Sequence, residues 1–157
     1  MGEELDDVDR GILRRLQRDA RNSRPPDIAD HVDVTANTVR SRIERLEARG
    51  VIRGYHPHVD YERAGYALRV GLRCAAPTVD VPDLVEALLA VEGVVRVTEM
   101  LSSTENLAVE LVAADADRLP AMVAEIRGLG LTITDEWFIR RDHANPAFGF
   151  AADTGEE

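Results

Sequence analysis

The spacing of apolar residues changes near Tyr66, and this change constrains the fold more than any other feature of the sequence. Before Tyr66, apolar residues recur about every three to four positions, which is typical of amphipathic helices. After Tyr66, helical segments are interleaved with short segments in which apolar and polar residues alternate, the pattern of half-buried strands. The sequence therefore predicts an α+β protein with a helical first part and a βαββαβ second part.

Three helices are predicted in the first part, over residues 5–21, 26–32 and 35–50. Asp6 or Asp7 caps the first helix, and Thr35 caps the third, which stops at Gly50. The short polar connection between the second and third helices is the tight turn of a helix-turn-helix. The segment "VIRGYHPHVD", residues 51–60, is predicted to be a strand that forms a wing.

The third helix has a polar and positively charged outer side although the chain is acidic. The formal net charge is -10, yet residues 34–53 hold five arginines against Glu44 and Glu47. Asn, Ser, Thr and Arg side chains can read base edges in the DNA major groove, while flanking guanidinium groups pair with phosphates. The helix is therefore predicted to bind double-stranded DNA. The predicted DNA-binding residues are Thr35, Asn37, Thr38, Arg40, Ser41, Arg42, Arg45 and Arg53.

The second part is predicted to form a four-stranded antiparallel sheet with both helices on one face, the ferredoxin-like sandwich. The uncovered face is polar but not loop-like, which suits either solvent or a dimer interface, and we expect a dimer. Two arginines of the first strand would pair with Glu110 and Glu136 on its neighbours. Trp137 and Phe138 are adjacent and point to opposite faces, and Trp137 is assigned to the core. The residues expected on the open face are Ala67, Arg69, Gly71, Arg73, Arg96, Thr98, Ala108, Glu110, Thr132, Thr134, Glu136 and Phe138.

Several motifs carry a resemblance to a known family. They are the opening "LDDVDRGIL", the run "TANTVRSRIERLEARGVI" and the "GY" that follows, all ahead of the βαββαβ unit. Together they resemble the leucine-responsive/asparagine-regulator (Lrp/AsnC) family of prokaryotic transcription factors, over residues 5 to about 141. The resemblance implies a winged helix-turn-helix domain joined by a linker strand to an effector-binding, dimerising domain of the RAM type. It also implies a homo-oligomer, a dimer that commonly assembles to an octamer.

This organisation divides the chain into four predicted segments. They are a DNA-binding domain (1–54), a linker strand (55–65), a ferredoxin-like dimerisation and effector domain (66–142) and a C-terminal tail (143–157). The charge is uneven along the chain, since the first 60 residues hold 11 arginines against 12 acidic residues and the remainder holds 8 against 17. This asymmetry is consistent with two functional halves.

The polar turn between the second and third strands is the candidate effector site. The family resemblance implies an amino acid bound at this turn, where many members carry a Gly and an Asp, whereas this chain has "LSSTENL". Hydroxyl and amide groups can bind a small polar ligand, and the same residue types are equally typical of an exposed turn. The candidate residues are Ser102, Ser103, Thr104, Glu105 and Asn106.

A metal site and a cofactor are not predicted. His56, His58 and Asp60 alternate along one face of the predicted strand and could hold a metal, but they flank a proline in a linker, so an exposed hinge is favoured. Cys74 is the single cysteine, which excludes an internal disulfide, and we expect it in the core.

The composition bears on location and source. No apolar run reaches the length of a membrane span, and the acidic start differs from a signal peptide, so we expect a cytoplasmic protein without a membrane partner. All 19 basic residues are arginine, against 29 acidic residues. This balance indicates either a GC-rich genome or a salt-adapted cytoplasm, and we favour a salt-adapted prokaryote of the haloarchaeal type.

Two alternatives to DNA binding remain at this point. The third helix could be an ordinary exposed helix, stabilised by Arg–Glu pairs three and four residues apart. The organisation also resembles siroheme-decarboxylase-like enzymes, which act on tetrapyrroles. That chemistry needs histidines or arginines converging on porphyrin carboxylates in a pocket, and the sequence shows no such set. We therefore predict a regulator and not an enzyme.

Overall fold

The computed structural model describes residues 4–76, 81–102, 104–146 and 148–150 of the chain. These residues form two compact units, which we call the helical unit (residues up to Pro57 and from His143 onward) and the sheet unit (His58–Asp142). Each unit has its own cluster of buried apolar residues. None of the helices that the structure describes is long and apolar enough to cross a membrane.

The helical unit contains α1 (Asp7–Asp19), α2 (Pro25–Val32) and α3 (Ala36–Ala48). The carboxylate of Asp6 caps α1 by accepting a hydrogen bond from the Asp9 amide at 2.8 Å. The hydroxyl of Thr35 caps α3 by accepting one from the Thr38 amide at 3.1 Å. Both caps satisfy amides that have no partner inside the helix, and both confirm predicted helix starts. The core of this unit is built on the fully buried Ile12, Ile28, Val39 and Leu46.

The chain turns sharply at both ends of α3. Between α2 and α3, Asp33 adopts a left-handed conformation with φ 51°, which Asp tolerates better than most residues. After α3, the amides of Val51 and Ile52 both bond back to the Leu46 carbonyl, at 2.9 and 3.2 Å. The strand predicted over residues 51–60 is wrong, since the structure has no strand there. These amides complete the helix end and are not available for a ladder with a neighbouring strand.

The sheet unit confirms the predicted βαββαβ order. Its elements are β1 (Leu68–Ala75), α4 (Val81–Ala90), β2 (Val94–Glu99), β3 (Leu107–Ala113), α5 (Leu119–Gly128) and β4 (Thr132–Phe138). The strands pair antiparallel in the order β2-β3-β1-β4. The inward residues of β1, Val70, Leu72 and Cys74, are fully buried and cluster with Leu88 of α4 and Ile126 of α5. The opposite side of the sheet is the open face.

A β-bulge in β4 changes which residues reach the open face. Arg73 of β1 pairs with Asp135, but the next residue, Cys74, pairs with Ile133, so Thr134 is an extra residue between them. Because side chains alternate along a strand, one extra residue exchanges the two faces for everything that follows. The predicted faces of the residues in the first three strands are confirmed, whereas the predicted faces of the residues after Thr134 in β4 are wrong.

The bulge overturns the assignments of the residues beyond it. Trp137 lies opposite Gly71 and therefore on the open face, so its assignment to the core is wrong. Phe138 lies opposite Val70, on the helix-covered side near the end of the strand, where 64% of its surface remains exposed. Glu136 lies on the same side as Phe138 and is also absent from the open face.

Candidate nucleic-acid interface and effector unit

The exposed side of α3 carries polar and charged side chains. Asn37, Arg40, Ser41 and Glu44 are all exposed, and they recur at the three- and four-residue intervals that place side chains on one side of a helix. The Arg40 guanidinium donates a hydrogen bond to the Asn37 side-chain oxygen at 3.0 Å. We call these four residues the outer row of α3.

The remaining predicted contact residues lie around the outer row. Thr35 and Thr38 share a hydrogen bond between their hydroxyl groups at 2.8 Å, beside the amide that Thr35 caps. Arg53 is exposed in the segment that follows α3. Thr35, Thr38 and Arg53 therefore remain on the surface of the helical unit.

Arg42 and Arg45 lie on the flank of α3 that faces α1. Nη1 of Arg42 contacts the carboxylates of Asp6 and Asp9, the latter at 3.2 Å. Nη2 of Arg45 lies 2.9 Å from the second carboxylate oxygen of Asp9. Sequence reasoning placed Arg45 opposite the apolar stripe of α3, but the structure directs its guanidinium toward the protein itself. Both arginines therefore join α3 to α1.

Asp9 is the residue that explains this arrangement. Of the polar and charged residues that the structure describes, it is the one whose side chain is buried, with no exposed surface. A carboxylate removed from water is strongly destabilising unless cations and hydrogen-bond donors surround it. A signal was present in the sequence, because Asp9 stands among the inward apolar residues Val8, Ile12 and Leu13 of α1.

The same ion pairs shift the ionisation of Asp6 and Arg42. The amide of Asp9, and then the guanidinium of Arg42, lower the pKa of Asp6 because both stabilise its ionised form. The hydrogen bond to Asp6 raises the pKa of Arg42. Each shift favours the charged state of the Asp6–Arg42 pair.

Side chains of the polar turn before β3 form hydrogen bonds with nearby backbone groups. The Asn106 amide group bonds to the backbone of Ala76 twice, accepting from its amide at 2.8 Å and donating to its carbonyl at 3.1 Å. The Ser102 hydroxyl accepts a hydrogen bond from the Glu105 amide at 3.3 Å. Thr104 is exposed, and Ser103 lies outside the described residues.

Glu105 connects this turn to the open face of the sheet. Its carboxylate lies 3.4 Å from the Arg73 guanidinium and accepts a hydrogen bond from the Thr134 hydroxyl at 2.8 Å. The predicted pairing of Arg73 with Glu136 is therefore wrong, because the bulge carries Glu136 to the other side. Arg73 instead packs over the Trp137 ring, 5.7 Å from its centroid.

The other predicted ion pair on the open face is confirmed. The Arg69 guanidinium bonds to the Glu110 carboxylate on β3 and also lies 2.9 Å from Asp142. These two carboxylates raise the pKa of Arg69, and Arg69 in turn lowers that of Asp142. The described part of the chain has no group of three or more His, Cys, Asp or Glu residues arranged to hold a metal. His58 lies 3.9 Å from Asp142, a long contact between side chains that are largely exposed.

Comparisons with known proteins agree with this architecture. A family model described as winged helix-turn-helix DNA-binding matches residues 5–53. The chain is 32% identical over 122 residues to an HTH-type transcriptional regulator of Pyrococcus horikoshii, covering 78% of this chain and 76% of that one. It is 29% identical over 127 residues to the HTH-type transcriptional regulator LrpA of Mycobacterium tuberculosis, covering 81% and 84%.

A solved structure shows the same fold over nearly the whole chain. It is the feast or famine regulatory protein of M. tuberculosis complexed with L-methionine, with a TM-score of 0.77, 24% identity and coverage of 90% of this chain and 96% of that one. A helix-turn-helix unit that matches this DNA-binding model, followed by a ferredoxin-like unit, defines a two-part DNA-binding regulator. The chain belongs to the HTH-type transcriptional regulators, as its 32% identity to the Pyrococcus horikoshii protein shows.

Proposed function

We propose that the outer row of α3 enters the major groove of double-stranded DNA and reads its sequence. The observation that carries the proposal is the joint exposure of Asn37, Arg40 and Ser41 on one side of a helix that is capped and buried on the other. Arg pairs with guanine and Asn with adenine, while Ser adapts to either base. The hydrogen bond between Arg40 and Asn37 orients the two side chains before DNA arrives.

The residues around the outer row would position the protein on the duplex. Thr35 and Thr38 lie at the N-terminal end of α3, where hydroxyl and backbone groups suit phosphate contacts. Arg53 would pair with a phosphate from the segment after α3. Glu44 would either accept a hydrogen bond from a cytosine amine, and so favour sequences with that base, or repel the phosphate backbone. Arg42 and Arg45, which sequence reasoning also assigned to DNA, would act through their contacts with α1.

We further propose a homodimer formed through the open face of the sheet. The exposed Trp137 ring and the internally paired Arg69 and Arg73 supply a semi-polar surface in which most charges already have partners. Such a surface can be buried against a second copy at low desolvation cost. Two copies of α3 would then meet half-sites about 34–36 Å apart, or a multiple of this spacing. Assembly of dimers to an octamer would follow the family resemblance.

An amino-acid effector is proposed for the sheet unit. The support is a relative of the same fold that was solved with L-methionine. The turn that includes Ser102, Thr104, Glu105 and Asn106 is the candidate site in this chain, together with Ser103. Because Asn106 and Glu105 already bond within the sheet unit, the ligand would be held chiefly by hydroxyl groups or by rearranging these bonds.

The cellular setting completes the proposal. The protein would act in the cytoplasm of a salt-adapted prokaryote, where its acidic surface keeps it soluble. It would regulate transcription without catalysing a reaction. Addition of siroheme to the purified protein tests the enzymatic alternative, since tetrapyrrole binding would produce a shifted absorbance in the Soret region, and a regulator would leave the spectrum of the free ligand unchanged.

Selection of binding sites from a random duplex library tests the DNA-binding surface. The wild type is expected to enrich a two-fold symmetric consensus, and Arg40→Ala should relax one base pair of it at a cost of about 1–3 kcal/mol. Arg127→Ala is the matched control, because it removes an exposed arginine from α5 in the sheet unit. Failure of the wild type to enrich any sequence, or an identical consensus from Arg40→Ala, would overturn the assignment.

A further inference from the structure

We propose that Asp9 is a positioning residue that withholds the guanidinium groups of Arg42 and Arg45 from DNA, and so limits the sequence-independent affinity of the protein. The inference rests on DNA binding through α3. It gives a buried carboxylate on α1 a role in the specificity of a surface on a different helix.

The geometry commits both arginines to Asp9. One carboxylate oxygen accepts hydrogen bonds from Arg42 at 3.2 Å and from Arg45 at 3.3 Å, and the other accepts from Arg45 at 2.9 Å. The side chains of Arg42 and Arg45 keep 27% and 38% of their surface exposed. They are therefore close enough to solvent to reach a phosphate if Asp9 released them.

Release of these arginines is opposed by the burial of Asp9. A charged side chain with no exposed surface would lose its compensating cations, which is among the more destabilising changes in a protein interior. Asp6 does not need a cation in the same way, because its side chain is 49% exposed and remains hydrated without Arg42. The restraint on Arg45 is therefore set by Asp9, and the restraint on Arg42 is shared between Asp9 and Asp6.

Arg40 provides the contrast within the same helix. Its guanidinium donates to the neutral amide of Asn37, and its side chain is exposed, so it can turn toward DNA without leaving a buried charge behind. Each guanidinium that neutralises a phosphate steepens the dependence of log K on log salt by about 0.9. By holding two guanidinium groups, Asp9 removes up to two such contacts, which carry affinity but no sequence information.

Salt-dependent titration of a duplex without the consensus tests the proposal. Asp9→Asn retains the size and hydrogen-bonding capacity of the side chain but removes its charge. We expect tighter binding to this duplex and a slope that is steeper by about 1–2 than that of the wild type. Asp30→Asn is the matched control, since it removes an exposed carboxylate from α2 with the same change in net charge.

A triple variant separates the release of the arginines from the change in charge. Asp9→Asn combined with Arg42→Gln and Arg45→Gln should return the slope to the wild-type value, because no released guanidinium remains. Should Asp9→Asn alone not fold, as judged by circular dichroism, Asp9→Asn/Arg45→Gln and the triple variant differ only in Arg42. Their slopes should then differ by about 0.9.

Several outcomes would overturn the inference. Asp9→Asn could weaken binding to all duplexes, or steepen the slope no more than Asp30→Asn does, and either result would leave Asp9 with a structural role alone. Equal slopes for the triple variant and Asp9→Asn would have the same meaning. A wild type that enriches no sequence from the random library would instead reject the proposed function itself, which keeps the two failures distinct.

Discussion

The indole ring of Trp137 packs directly over Gly71 on the open face of the sheet. A Cβ atom at position 71 would lie 2.2 Å from Cε2 and 2.3 Å from Cζ2 of the ring, so only glycine allows this contact. The two residues are cross-strand partners between β1 and β4, and Arg73 covers the ring from two residues away. The position of the largest aromatic group on this face therefore depends on the absence of a side chain opposite it.

Gly71→Ala should displace the indole ring and destabilise the protein. Overpacking of this kind costs about 1–3 kcal/mol, and we expect a lower melting temperature together with a shift in tryptophan fluorescence. If the open face is the dimer interface, sedimentation should also show weaker self-association. Gly128→Ala, at the end of α5 where a Cβ meets no atom within 4 Å, is the control and should melt at or slightly above the wild-type temperature.

Thr35→Ala should destabilise the helical unit by removing the cap of α3. The loss of a capping hydroxyl costs about 0.5–2 kcal/mol, whereas Thr35→Ser preserves the acceptor and should stay close to wild type. Urea denaturation monitored by circular dichroism measures the difference. Equal midpoints for the Ala and Ser variants would show that the hydrogen bond to the Thr38 amide contributes nothing to stability.

Arg45→Ala should destabilise the protein more than Arg40→Ala. The first change removes a charged hydrogen-bond partner from the buried Asp9, which costs about 1.5–3 kcal/mol for bonds to charged groups. The second removes an exposed side chain and should stay within about 0.5 kcal/mol of the wild type. Thermal melts of both variants without DNA test this order, and the reverse order would contradict the structural role of Arg45.

Asp142 should stabilise the sheet unit at neutral pH and lose this effect in acid. The hydrogen bond from Arg69 lowers its pKa in the folded state, so the ionised form contributes stability above the pKa of the unfolded chain, near about 3.9. This contribution is lost as the pH falls through the folded pKa. Asp142→Asn should therefore be less stable than the wild type at a pH of about 7, and the gap should be smaller at a pH of about 3.

Salt provides the control for the Asp142 prediction. The carboxylate is 40% exposed, so the ion pair is partly screened, and its contribution should shrink when the ionic strength rises. Urea midpoints of the wild type and Asp142→Asn measured at both pH values test the prediction. A constant difference between the two proteins would indicate that ionisation of Asp142 is not the source of the effect.

The elements of this fold could be predicted because their signals are local. A capping side chain stands directly before each of α1 and α3, and the apolar period changes where the sheet unit begins. Alternation also assigned the faces of the first three strands correctly. In β4 the same rule failed beyond Thr134, because the pairing skips one residue there, and the sequence signal was the charged Asp135 at a position that strict alternation assigns to the core.

The side of α3 that faces α1, and with it the contacts of Arg42 and Arg45, was harder to predict. The helical period identifies the buried Val39 and Leu46, but both flanks of the helix are rich in arginine, and composition alone does not show which flank meets another helix. Asp9, the residue whose carboxylate pairs with both arginines, is 33 residues away from Arg42 in sequence. Long-range ion pairs of this kind are visible in the sequence only as an acidic residue at an inward position.

The extra residue at Thr134 has an evolutionary implication. Deleting it would remove the bulge and leave Asp135 and Trp137 on the open face, because the residues on both sides of Thr134 already pair with consecutive residues of β1. An insertion or deletion elsewhere in the strand that no bulge absorbed would instead exchange the two faces of the residues beyond it. The bulge therefore gives β4 a position at which one residue can be gained or lost while the remaining side chains keep their faces.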